Sequence, residues 1–136
     1  MSARRWILLW SPVGIYVACI FYLSSLPNPF EITGVPPAPA WALHIVEYAG
    51  LSFLWIRAVT SGLARPPRFV EAAIVVAAAG AIGAADEVWQ SFHPGRWATA
   101  WDALADTVGA FVGVAAFAGL VRALRGRRAA HSPIRS

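Results

Sequence analysis

The chain of 136 residues has few side chains that could do chemistry: 7 acids, 3 histidines and 11 basic residues, all of the latter arginine. Two short stretches hold most of the acids. Asp86, Glu87 and Gln90 close one apolar run, and Asp102 and Asp106 open the next. Between them lies the turn Ser91-Phe92-His93-Pro94-Gly95-Arg96. A third group, His44, Glu47 and Tyr48, opens an earlier run. Clustered carboxylates beside an imidazole can act as general acids and bases, or hold a divalent cation through oxygen and nitrogen donors. An arginine near them suits a phosphate or carboxylate.

Helical spacing decides which of these groups share a face. His44, Glu47 and Tyr48 stand at i, i+3 and i+4. Gln90 lies three residues after Glu87 and four after Asp86, with Gly83 one turn deeper. Asp102, Asp106, Gly109 and Gly113 form one stripe, acidic above and G-x-x-x-G below, the small-residue pattern that lets helices approach closely in lipid. The stripe that packs against the bundle also carries the acids, which directs them inward.

The elements that position these groups are membrane spans. Hydrophobic residues make up 58% of the chain, charged residues only 13%, and mean hydropathy is +0.58. These values exclude an ordinary soluble domain and predict an all-α, polytopic membrane protein of one domain. Four transmembrane helices are expected, at about 6–26, 41–63, 69–91 and 100–124, followed by a basic, unstructured tail at 125–136. The run Trp6–Leu26 is longer than a signal-peptide core and reads as a retained first helix. Pro12 marks a kink or an interfacial first turn within it. The proline-rich stretch 27–40, whose only charge is Glu31, reads as a loop. Cys19 is the single cysteine, so no internal disulfide can form.

The pI of about 10.2 does not indicate a nucleic-acid binder, because the arginines flank apolar runs. Arg4, Arg5, Arg65, Arg68, Arg122, Arg125, Arg127, Arg128 and Arg135 fall on one side, and Arg96 alone on the other. The positive-inside rule then places both termini in the cytoplasm of a bacterial inner-membrane protein. His44, Glu47, Tyr48, Asp86, Glu87, Gln90, Asp102, Asp106 and Ser24-Ser25 all arrive at the outer face. Ionisable groups at that depth are expensive and point to function.

Each group also has a plainer role. Asp102 with Thr99 fits a helix cap. Asp86 and Glu87 are adjacent, so one should face the cluster and the other an outer-loop group or water, with Glu87 inward. His44 and Glu47 suit an interhelical clamp as well as a functional pair. Arg96 suits a salt bridge as well as an anion. His93 reads as a turn residue, Glu71 as a solvated charge that favours its helix N-terminus, and Gly109/Gly113 as packing.

The ordered set S-S-L-P at 24–27, H-x-x-E-Y at 44–48, D-E-x-x-Q-x-F-x-P-G-R at 86–96 and D-x-x-x-D-x-x-G-x-x-x-G at 102–113 resembles the VanZ-like family of small bacterial membrane proteins. The resemblance spans roughly residues 20–115. It departs where family members often carry Asp-Lys before the histidine (here Ala40-Trp41) and Asn at the position of Asp106. The resemblance implies a cell-envelope role linked in some members to glycopeptide (teicoplanin) resistance.

Three functions are then expected in order. The first is a binding module whose pocket holds the headgroup of an anionic lipid or lipid-linked cell-wall precursor, through Arg96, His44, Glu47, Tyr48, Asp86, Glu87, Gln90, Asp102 and Asp106. The second is a membrane-embedded enzyme, with Glu87, Asp106, Glu47 and His44 as candidate catalytic groups. The third is a small transporter, disfavoured because the acids sit at one face. No H-E-x-x-H, nucleophile elbow or phosphate loop appears, so no cofactor and no resident metal is expected.

Overall fold

The computed structural model describes residues 2–27, 39–93 and 99–130. They form four α-helices and, among the described residues, no strand: α1 Ala3–Ser24, α2 Ala40–Val59, α3 Phe69–Gln90 and α4 Ala100–Ala130. All four are long and apolar enough to cross a membrane. Large apolar side chains cover the outside, among them Val46, Phe69 and Trp101. In water this would be costly; against lipid it is the expected surface. The expected proline-rich loop with Glu31, the turn residues Pro94–Ala98 with Arg96, and the tail from residue 131 with Arg135 lie outside the described residues.

Local chemistry sets the helix ends. In α1 the Arg5 N–H donates to Ser2 Oγ at 3.4 Å, and the helix runs through Pro12 to Ser24, two residues short of the expected end. α2 stops at Val59 rather than Leu63, because Ser61 and Gly62 take left-handed φ angles of 59° and 92°. The Gly62 N–H donates to Arg57 O at 2.7 Å and the Ser61 N–H to Ala58 O at 3.1 Å, the paired bonds of a Schellman end.

At the start of α3, Glu71 is not merely solvated. Its carboxylate takes both Arg65 guanidinium nitrogens at 2.7 and 2.6 Å and the Arg68 N–H at 2.8 Å. That bidentate contact holds the Arg65 guanidinium above its ordinary range. The structure also corrects the expected tail: α4 continues through 125–130 instead of ending at 124. All of residues 125–130 except Gly126 are arginine or alanine, which are strong helix formers, and Arg127 and Arg128 in the last turn complement the helix dipole.

The helices alternate in direction. Arg5 near the start of α1 donates to Ser61 O beyond the end of α2, at 3.0 Å. At the other end Ser24, His44, Gln90 and Asp106 meet. α2 packs on all three other helices, most extensively on α4. Gly109 and Gly113 make that interface tight: a Cβ at either would collide with the α2 backbone at Ile45 or Ala49. Below, Phe53 and Phe117 meet edge to face at 5.4 Å. The core there is apolar, built from Leu51, Ile56, Val75, Ala79, Phe117 and Val121.

Candidate functional site

The polar site fills one end of the bundle, and three helices build it. His44 sits in the second turn of α2, Asp86, Glu87 and Gln90 in the last turns of α3, and Asp106 in the second turn of α4. His44 Nδ1 and Asp106 Oδ1 are 2.8 Å apart. With its proton on Nδ1, the imidazole donates to the carboxylate. The Asp106 side chain is 1% exposed and that of His44 12%, so the pair is almost wholly withdrawn from solvent.

A ring nitrogen of His44 and one carboxylate oxygen each of Glu87 and Asp106 lie within 4.8 Å of one another. Gly83 makes room for this. An added Cβ there would overlap the Asp106 carboxylate and fall 2.8 Å from its Cβ. The last turns of α3 can therefore lie directly against the acid of α4.

Asp86 and Glu87 do not divide into one inward and one outward acid. Both are buried, at 1% and 7% exposure, and they face different neighbours. Asp86 Oδ2 accepts from Ser24 Oγ at 2.7 Å and from Gln90 Nε2 at 2.8 Å, which ties α1 to α3. Glu87 Oε2 accepts the Thr99 N–H at 2.8 Å, ahead of α4. In a full capping box Asp102 would take that N–H. Asp102 instead accepts from Thr99 Oγ1 at 2.7 Å, while its own N–H donates back to that hydroxyl at 3.2 Å. Asp102 thus serves the helix start and stands outside the trio.

The remaining sequence candidates fall into place around this centre. Tyr48, one turn below His44, is fully buried, within electrostatic reach of Asp106, Asp86, Glu47 and Glu87. Glu47 is partly buried and is not one of the trio. His93 lies just beyond the end of α3, in the turn, where its Nδ1 is 2.9 Å from Trp89 O. Ser24 arrives at this end as its place at the close of α1 implies, and its bond to Asp86 is a tertiary contact; the backbone contact of Thr99 to Glu87 has no sequence signature.

Four buried polar atoms have no hydrogen-bond partner among the described residues: Tyr48 Oη, Asp86 Oδ1, Glu87 Oε1 and Asp106 Oδ2. Orphaned buried polar atoms are few in native proteins and call for an explanation such as a ligand, ion or water. All four belong to residues of this one end.

No protein-family model matches the chain, and no curated protein and no solved structure matches it.

A groove beside the site lies between α3 and α4. It is open, has a volume of about 320 Å³ and is lined by Ala84, Glu87, Val88, Ser91, Thr99, Ala100 and Ala103. Four of these seven residues are alanine or valine; the polar ones are Glu87, Ser91 and Thr99, and Glu87 is a member of the trio.

Proposed function

We propose that this chain is a VanZ-like membrane protein that binds an amphipathic envelope lipid, with the apolar chain in the α3–α4 groove and the polar head at His44, Glu87 and Asp106. The observation that carries this reading is the groove itself, lined mainly by alanine and valine together with Glu87, a buried acid with one oxygen that has no partner among the described residues. Free carboxylate oxygens accept hydrogen bonds. The head they suit best is rich in donors: sugar hydroxyls and amides of a cell-wall precursor, or the ammonium of an aminophospholipid. In this reading the arginine-bearing end is cytoplasmic and the site lies in the outer leaflet of a bacterial inner membrane. A cysteine placed at Ser91, in a Cys19→Ala background, should label from outside intact cells; labelling only after permeabilisation reverses the orientation.

Native mass spectrometry of the detergent-purified protein tests the binding reading. Wild type is expected to carry a lipid adduct whose mass separates a lipid-linked precursor from an aminophospholipid. Ala103→Trp narrows the groove while leaving all three trio residues in the sequence and should remove the adduct, and Glu87→Gln should weaken it. Equal lipid loads in all three folded proteins would refute the reading.

One observation favours a second reading, an enzyme acting on such a lipid. The His44–Asp106 pair has the geometry of an oriented general base, with Glu87 near enough to serve as its acid partner. Conversion of the bound lipid by wild type but not by Asp106→Asn would establish it; recovery of the lipid unaltered from wild type would exclude it.

A further inference from the structure

We propose that His44, Glu87 and Asp106 bind one divalent transition-metal ion of the Zn²⁺ or Mn²⁺ class. The inference goes beyond lipid binding and does not depend on it. One imidazole nitrogen with two carboxylate oxygens is a donor set these ions accept, whereas Mg²⁺ and Ca²⁺ prefer oxygen alone.

Three observations converge. The candidate ligand atoms lie within 4.8 Å of one another. Ligands at about 2.0–2.1 Å from a tetrahedral ion are roughly 3.3 Å apart, so side-chain adjustments of about an ångström would close the set. Second, Glu87 Oε1 and Asp106 Oδ2 are buried and lack any hydrogen-bond partner among the described residues. The residues carrying these oxygens are 7% and 0% exposed. Their other oxygens are fixed, by the Thr99 N–H and by His44, so each carboxylate is held with one oxygen to spare. Third, among the described residues Asp86, Glu87 and Asp106 share this end with His44 and His93 but with no arginine; the described arginines, including Arg57 and Arg122, occupy the opposite half of the bundle. A divalent ion would supply positive charge beside these acids, where isolated charges are costly. Three protein ligands also leave a coordination position open towards the groove, the arrangement of catalytic rather than structural sites.

On binding, one His44 ring nitrogen faces the ion unprotonated and the ring proton sits on the other nitrogen. The test uses the full chain in detergent, stripped with a chelator, dialysed against Mn²⁺ and analysed for bound metal. Pulsed electron paramagnetic resonance of the bound Mn²⁺ reads its ligands in wild type, without reliance on any variant. The expected result is about one ion per chain with a ¹⁴N coupling from imidazole. His44→Gln should lose the coupling. Glu87→Gln and Asp106→Asn should weaken binding at least about tenfold. Asp102→Asn, outside the trio, should bind as wild type does. Folding of each variant is checked by circular dichroism. Wild type that binds Mn²⁺ and Zn²⁺ no more tightly than about 1 mM would overturn the inference, as would bound Mn²⁺ lacking nitrogen coupling. A stripped protein that keeps its lipid leaves the lipid reading intact whichever way the metal result falls.

Discussion

Asp106 on α4 meets His44 on α2 at 2.8 Å, and the absence of a side chain at Gly83 on α3 makes room for that carboxylate. One contact therefore depends on three helices. Its acid has almost no exposure, its imidazole little, and the second acid oxygen has no partner among the described residues.

Gly83→Ala should break this arrangement. Its Cβ would stand 2.9 Å from the Asp106 Cγ, so α3 and α4 must separate or the carboxylate must turn away. Overpacking of this kind costs about 1–3 kcal/mol. Gly119→Ala is the control: nothing lies within 4 Å of a Cβ there, and alanine is the better helix former. Thermal unfolding in detergent should show a clear fall for the first and no fall for the second.

Ser24→Ala should expose how Asp86 is held. The Ser24 hydroxyl donates to Asp86 at 2.7 Å in a buried setting, and Gln90 is the other donor to the same oxygen. Removing one donor from a buried acid costs about 1–3 kcal/mol. Lower stability with an unchanged lipid load would mark Asp86 as the tie between α1 and α3. Loss of lipid at unchanged stability would instead bring Asp86 into the binding site.

The sequence made some of this legible. Periodicity identified four spans and put His44, Glu87 and Asp106 at one end. The G-x-x-x-G pattern indicated that the acidic face of α4 turns inward, and Gly109 and Gly113 do pack on α2. Other features depend on tertiary contact. Asp86 and Glu87 can both be buried because separate partners wait on α1 and at Thr99, which adjacency in sequence conceals. The end of α2 depends on a serine in the left-handed region, a conformation that a non-glycine residue rarely announces. The length of α4 reflects good helix formers continuing past the apolar span, where hydropathy ceases to inform.

Arg65→Met should do little. The Arg65–Glu71 pair is well formed, but it lies near the exposed end of the bundle, and exposed ion pairs add little to stability. Any fall in the unfolding midpoint should vanish at high salt, which screens such charges. A large, salt-independent fall would show that the turn before α3 is held by this pair.

Tyr48→Phe tests most directly whether the buried polar end exists for a ligand. The side chain is wholly buried, its hydroxyl has no partner among the described residues, and phenylalanine keeps the ring in place. Unfolding midpoint and bound lipid are measured together on the same preparation. A hydroxyl kept for a ligand predicts an unchanged or higher midpoint and a lipid affinity at least about tenfold weaker, since tenfold is about 1.4 kcal/mol, the scale of one hydrogen bond. A lower midpoint with unchanged lipid affinity would contradict the account and make the cluster a structural clamp between helices.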